Sequence, residues 1–157
     1  DTPGAKRFGI RFKPVILSHG MLAGLKGGDD KMSKSDPDSA IFCNDPKNEV
    51  VRKINKAFCE PGNVDNNPVL AYAKTLVIPR LGSLLVKRSE ENGGDIEYKN
   101  SDALTTDFKE GRLHPGDLKK AVAEALNTIL EPVRKHFETD ERARNLARAV
   151  KSYRVTN

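Results

Sequence analysis

Apolar residues recur at two different spacings along this chain, and the change falls near residue 45. Before it, the one concentrated apolar run is Phe12-Lys13-Pro14-Val15-Ile16-Leu17, which empties into Ser18-His19-Gly20 and the glycines Gly24, Gly27 and Gly28. A short β-rich run feeding a glycine-rich loop has the pattern of the last strand of an α/β sheet. One strand is not a sheet, so its partners are expected outside this chain.

From residue 45 the spacing becomes helical. Asp45 is expected to cap a helix with Pro46 at its first position, with Val50, Val51, Ile54, Ala57 and Phe58 as its inner stripe and Glu60-Pro61-Gly62 as its end. Asn67-Pro68 opens a second helix with Val69, Leu70, Ala73, Leu76 and Val77 inward, stopping near Pro79. Leu84 to Lys87 and Ile96 to Lys99 read as a hairpin around Asn92-Gly93-Gly94. Ser101 is expected to cap a short helix carrying Leu104 and Phe108, ended by Gly111. The longest helix starts at Pro115 with Leu118, Val122, Ala125, Ile129, Val133 and Phe137 in its stripe and a bend at Pro132. Thr139 is expected to cap a last helix bearing Ala143, Leu146, Ala147 and Val150. The fold class predicted is therefore mainly α: a helical bundle with a small β hairpin over residues 45–157, preceded over 1–44 by a strand and loop.

Composition narrows the partners only slightly. Of 157 residues, 37% are hydrophobic and 31% charged, which suits a globular chain, and no apolar run approaches a membrane span. The net charge of +5 leans toward a polyanionic partner. Cys43 and Cys59 have neither CxxC spacing nor a nearby histidine, so no metal site or disulfide framework is expected and a reducing compartment is the default. Asp1-Thr2-Pro3-Gly4 is loop chemistry without an initial Met, so the chain is expected to be a piece of a longer one.

The most informative stretch is Lys31-Met32-Ser33-Lys34-Ser35, two lysines three residues apart among hydroxyls, directly after Gly27-Gly28-Asp29-Asp30. Lysine is a compact point charge that neutralises phosphate oxygens, and glycines let a loop close over a ligand. Such a loop can stabilise the charge that develops as pyrophosphate leaves a triphosphate. A solvated basic turn is the plainer reading of the same residues. The Walker-type phosphate loop does not fit, because Gly28 does not directly precede Lys31 and no helix pattern follows at once.

The pentapeptide is identical to the KMSKS signature of class I aminoacyl-tRNA synthetases, and its surroundings resemble the tyrosyl enzymes of eukaryotes and archaea. The resemblance is carried by Lys31 to Ile41, by Lys53-Ile-Asn-Lys-Ala-Phe-Cys-Glu-Pro-Gly-Asn-Val64, by Gly93-Gly94-Asp95, by Leu113-His-Pro-Gly-Asp-Leu-Lys119 and by Ile129-Leu-Glu-Pro-Val-Arg134. The tryptophanyl enzymes share the loop, but the blocks around Cys59 and His114 favour tyrosine. By that likeness, residues 1–44 are the end of a Rossmann-type catalytic domain with its loop, and 45–157 an anticodon-binding domain.

The resemblance implies activation of tyrosine with ATP and transfer to tRNA(Tyr). ATP with Mg2+ would be a substrate, and no permanent cofactor or metal is implied. Lys31 and Lys34 would bind the phosphates, with Lys34 the stronger candidate for transition-state charge. Met32 would pack beneath the loop, and Ser33 and Ser35 would shape it. Asp117 would accept hydrogen bonds from the first anticodon guanine, with His114 and Pro115 alongside, His114 stacking. Cys59 would lie near the middle anticodon base, and Lys119 and Lys120 would contact the tRNA. Asp117 would also be at home as an ordinary first-turn acid, and Cys59 as a small core thiol. The chain departs from the family pattern in three ways: it has no His-Ile-Gly-His motif, Ser18 to Leu25 is not the Pro-rich version, and Asn92 stands where archaeal relatives place a stacking aromatic. The chain alone is therefore expected to be inactive. Its parent is expected to be a cytoplasmic dimer or pseudo-dimer, with no membrane partner. A stand-alone RNA-binding module and a tryptophanyl fragment are the competing readings.

Overall fold

The computed structural model describes residues 15–18, 20–27, 32–33 and 35–153. Helix α1 spans Lys47–Lys56, α2 Pro68–Tyr72, α3 Ile78–Leu81, α4 Ser101–Lys109, α5 Pro115–Thr139 and α6 Glu141–Ser152. Between α4 and the preceding helices lie β1 (Leu84–Val86) and β2 (Ile96–Tyr98), paired antiparallel with Leu84 opposite Tyr98 and Val86 opposite Ile96. The expectation of a mainly helical chain with one small hairpin is borne out.

The core forms around the first half of α5. Leu118, Ala121, Val122, Ala123 and Leu126 are buried there, against Val50 and Ile54 of α1, Val69 and Leu70 of α2, and Leu84 and Val86 of β1. Leu104 and Phe108 bring α4 into the same cluster, and both are fully buried. The second half of α5 leaves the core: Ile129 is half-buried and Phe137 exposed, and the helix passes through Pro132.

Several local expectations are corrected. Val15, Ile16 and Leu17 form no strand and are exposed, as a strand without partners must be; Phe12 to Pro14 lie outside the described residues. Asp45 does not cap α1. Its carboxylate turns back to accept from the Phe42 N–H at 2.9 Å and from Lys53 Nζ at 2.7 Å. Within α1 the buried positions are Val50, Lys53 and Ile54, while Val51 is exposed, as is Phe58 just beyond the helix end.

The second helix does not stop at Pro79. A π-helical stretch, Ala73–Val77, joins α2 to α3, and the rod ends at Gly82, whose φ of 84° is left-handed. The wider turn gives the Pro79 ring room against the preceding carbonyls, where a regular α-turn would clash. Leu76 is exposed on that rod rather than inward. The caps also shift by one residue. Asn100, not Ser101, accepts from Asp102 and Ala103, and Asp140, not Thr139, accepts from the Ala143 N–H. On α6, Leu146 and Val150 are exposed, whereas the helical spacing predicts them inward.

Phe108→Ala should lower unfolding free energy by about 3–5 kcal/mol, because it removes a fully buried ring that the bundle cannot close over. Urea unfolding followed by far-UV circular dichroism measures this, and a loss under about 1 kcal/mol would remove Phe108 from the core.

Candidate functional site

The loop after Gly27 is held mostly by its own small polar groups. The Ser33 N–H donates to Ser39 Oγ at 2.9 Å, and Ser39 Oγ contacts the carbonyls of Ser33 and Asp36 at 3.2 and 2.7 Å. The Ser33 and Ser35 hydroxyls lie 2.7 Å apart. Asp36 precedes a 3-10 turn, Pro37–Ser39, and its carboxylate pairs with Lys26. Ser39 is buried, and its carbonyl accepts from the Leu25 N–H at 2.9 Å. The Leu25 carbonyl in turn accepts from the Phe58 N–H at 2.7 Å, which fastens the loop base to the end of α1. Met32 is half-buried and packs on the core. Lys31 and Lys34 lie outside the described residues.

Gly27 shows why the base of the loop tolerates no side chain. Its φ is +80°, and a Cβ there would meet the Phe58 ring at 2.6 Å. Beyond the loop, Asp38 receives the Arg52 guanidinium, which also donates to Glu49 at 2.8 Å through Nε. Arg52 thus ties the flank of the loop to α1. Its hydrogen bond holds the Asp38 carboxyl at about 2, well below its ordinary 3.8.

A second group of residues meets at the N-terminus of α5. His114 is the cap, and its Nδ1 accepts from the Gly116 N–H at 3.0 Å. Gly116 matters to that cap, since a Cβ would come within 3.1 Å of Nδ1. Pro115 is buried at the first helical position, and Asp117 lies one turn on from His114, half-exposed. His114 and Asp117 line a cleft of about 580 Å³ with Arg88, Asn92 and Arg112.

Arg88 and Arg112 build the walls of this cleft, and sequence reading passed over both. Arg88 donates to the Gly94 carbonyl at 2.9 Å and to the Arg112 carbonyl at 3.0 Å, so the hairpin tip is locked to the turn before α5. Arg112 donates to Asp107 through Nε at 2.9 Å and Nη2 at 2.6 Å. Tyr98 donates its hydroxyl to the other oxygen of Asp107 at 2.9 Å. Burial opposes the charge on Asp107, but the bonds from Arg112 and Tyr98 outweigh it and its carboxyl sits below the usual range. A signal was available in the sequence: Arg88 and Arg112 flank Gly93-Gly94 and His114, the two blocks that carry the family likeness.

The remaining expected contacts are divided. Lys119 is tied down, donating to the Asn55 carbonyl at the end of α1 at 2.9 Å, whereas Lys120 is exposed. Cys59 is half-buried, with its Sγ 3.5 Å from the Asn67 amide. Burial raises its thiol above the ordinary value, against the pull of that amide and of Lys119. Cys59 is therefore near Lys119 but does not line the cleft of His114 and Asp117. A more apolar groove of about 450 Å³, walled by Leu76, Pro79, Leu126 and Ile129 among others, holds none of the expected ATP or tRNA residues that are among the described ones.

A polar loop thus packs onto a helical unit that carries a charged cleft at the start of its longest helix. The family model for tRNA synthetases class I (W and Y) matches residues 4–131, and the chain belongs to that family. It is 54% identical over 144 residues to Tyrosine--tRNA ligase 1, cytoplasmic, of Arabidopsis thaliana, covering 92% of this chain and 37% of that one. It is also similar to the crystal structure of the Leishmania major tyrosyl-tRNA synthetase in complex with tyrosinol, with a TM-score of 0.78, 38% identity, and 98% of this chain and 25% of that chain covered. The Archaeoglobus fulgidus tyrosyl-tRNA synthetase complexed with L-tyrosine gives a TM-score of 0.68 at 49% identity, over 73% of this chain and 35% of that one. The resemblance to tyrosyl enzymes is thus borne out, and the chain spans well under half the length of each of these relatives.

The Asp38–Arg52 tether should respond to acid in a defined direction. A depressed folded pKa means that the tether is intact above about 4 and is lost as pH falls through about 2. Carboxyl-carbon NMR should place the Asp38 midpoint near 2, and Arg52→Gln should move it back toward 3.8. A wild-type midpoint already near 4 would show that Arg52 does not hold the loop flank.

Proposed function

We propose that this chain is the segment of a tyrosine–tRNA ligase that closes over ATP and reads the anticodon of tRNA(Tyr). The observation that carries the reading is the meeting of His114 and Asp117 in one cleft, on a chain whose Met32 packs on the core and whose Ser33 and Ser35 hydroxyls are in contact. In this reading residues 1–44 finish a Rossmann-type catalytic domain. Residues 45–157 are the anticodon-binding domain.

Lys31 and Lys34 take the phosphates of ATP, with Mg2+ accompanying the nucleotide as part of the substrate and no permanent cofactor needed. As pyrophosphate leaves, charge grows on its oxygens, and a fixed ammonium there stabilises the transition state more than the ground state. Ser33 and Ser35 supply the short hydroxyl contact that shapes the loop between the two lysines. At the other site, Asp117 accepts two hydrogen bonds from the edge of the first anticodon guanine, and the exposed His114 ring offers a stacking face. Pro115 sets the helix start that aims both, and Cys59, Lys119 and Lys120 lie toward the neighbouring nucleotides. The parent works in the cytoplasm as a dimer or pseudo-dimer joined through its catalytic domains. Among the described residues no helix is long and apolar enough to cross a membrane.

Asp117→Ala should weaken binding to tRNA(Tyr) by roughly ten- to a hundredfold, the scale of a lost charge-assisted pair of hydrogen bonds. The same variant should lose the preference for guanine over other bases at the first anticodon position. Gel-shift titration against tRNA(Tyr) and the same tRNA with that guanine replaced tests this; equal binding of both tRNAs by the unmutated chain would sink the anticodon reading. In the full-length enzyme, Lys34→Ala should slow ATP–pyrophosphate exchange by roughly a hundredfold and spare tRNA binding. An unchanged exchange rate would remove Lys34 from the chemistry.

A further inference from the structure

Lys53 has no part in the nucleotide or anticodon chemistry, yet its side chain is one of the largest that is fully buried, at 2% exposure. A lysine in such a place persists only where its surroundings satisfy it. Its Nζ donates to Asp45 Oδ2 at 2.7 Å and to the Ala40 carbonyl at 3.1 Å, and lies 4.5 Å from the centre of the Phe42 ring. All three partners belong to residues 40–45, the segment by which the chain leaves the loop. Asp45 Oδ2 also accepts from the Phe42 N–H, so one carboxylate oxygen fixes both the lysine and the backbone beside it.

The contacts continue in both directions. Toward the loop, Ala40 follows Ser39, whose hydroxyl contacts the Ser33 N–H and carbonyl. Away from it, the Asp45 carbonyl accepts from Arg134 Nε of α5 at 2.8 Å. Arg134 also donates to the Asn127 side chain at 2.7 Å, and Asn127 donates to the Lys47 carbonyl at the start of α1. The loop exit is therefore registered against both α1 and α5.

We propose that Lys53 and Asp45, braced by Arg134, are positioning residues for the Lys31–Ser35 loop: they fix its exit so that Lys34 reaches the phosphates at one reproducible place. The inference rests on the reading of that loop as the one that closes over ATP.

The test compares ATP–pyrophosphate exchange, tyrosine KM, tRNA binding and thermal unfolding in the full-length synthetase for Lys34→Ala, Lys53→Met and the double variant Lys53→Met/Asp45→Leu. Lys53→Met strands a buried carboxylate, so it should lose both stability and rate. The double variant replaces the pair by apolar side chains, a change that is commonly neutral or stabilising. It should melt above Lys53→Met, because no charge is left stranded, and keep its tyrosine KM and tRNA binding. Its kcat should stay roughly ten- to a hundredfold low, because the Ala40 carbonyl and Phe42 N–H have lost their partners. Recovery of kcat along with stability would make the pair purely structural and overturn the proposal. If the Lys53 variants do not fold, Arg134→Gln on the outer side of the network decides: a several-fold fall in kcat at constant KM supports the proposal, and an unchanged kcat overturns it. Lys34→Ala separates the two failures. Slow exchange there with normal Lys53 variants sinks only the anchor, whereas normal exchange there sinks the ATP role of the loop and the anchor with it.

Discussion

Burial of one side of the first half of α5 is the constraint on which the rest of the fold depends. Leu118, Val122 and Leu126 recur at helical spacing and face α1, α2 and β1 at once. Ala121 and Ala123 keep that surface low, so neighbours from three elements can approach it. No other pair of elements would make a core alone: α2 and α3 are short, and the hairpin has two strands of three residues each. Because α5 starts at His114 and Pro115, packing its apolar face also decides where His114 and Asp117 emerge. The cleft is in that sense a by-product of the core.

The polar contacts fall into two kinds with different consequences. Exposed pairs such as Lys47 with Glu131 and Lys99 with Glu97 contribute little, since water screens them and ordering two long side chains is unfavourable. The contacts of Lys53, Asp45 and Arg88 are different, because they pair side chains with backbone groups, and those of Lys53 to Ala40 and Arg88 to Arg112 join segments 13 and 24 residues apart. Such bonds specify geometry more than they add stability. Arg88 sets the hairpin tip against α5, and Lys53 sets the loop exit against α1.

Those are also the features that a sequence shows least well. The Lys31–Ser35 signature, the helix starts at Asn67-Pro68 and His114-Pro115 and the buried positions Val50, Ile54, Leu104, Phe108, Leu118 and Val122 were all legible, because each depends on residues within a turn or two of one another. Asp45 was misread for the opposite reason. An Asp before a Pro and a helical stripe satisfies the capping rule, but a buried lysine eight residues on competes successfully with the helix N-terminus for the same carboxylate. Lys53 itself occupies an apolar-stripe position, three residues from Val50 and one from Ile54, and that spacing was the one hint that it points inward. Pro79 was misread because a π turn is a rearrangement of hydrogen bonds with no residue signature of its own. Leu146 and Val150 follow helical periodicity faithfully and are nevertheless exposed, since periodicity reports a face and not what covers it.

The cleft and the Arg134 contact to the loop exit stand on one rod. From His114 to Arg134 the chain takes twenty residue steps of continuous helix or cap, roughly 30 Å at 1.5 Å per residue. A packed helix of that length fixes a distance, and it carries no signal unless it has two arrangements to choose between. The inner face of the first half of α5 is buried and has no room for a second arrangement; beyond it, where Ile129 and Val133 are only half-buried, Arg134 holds Asp45 and Asn127 instead. Arg134 therefore takes over from core packing as the contact that registers the outer half of α5 against the loop exit. The cleft is held in the same way, by the bonds of Arg88 to Gly94 and Arg112 and of Arg112 to Asp107. Both ends of the rod are thus fixed by arginines whose donors are taken up by backbone carbonyls, so the spacing between the cleft and the loop exit is set by the fold itself.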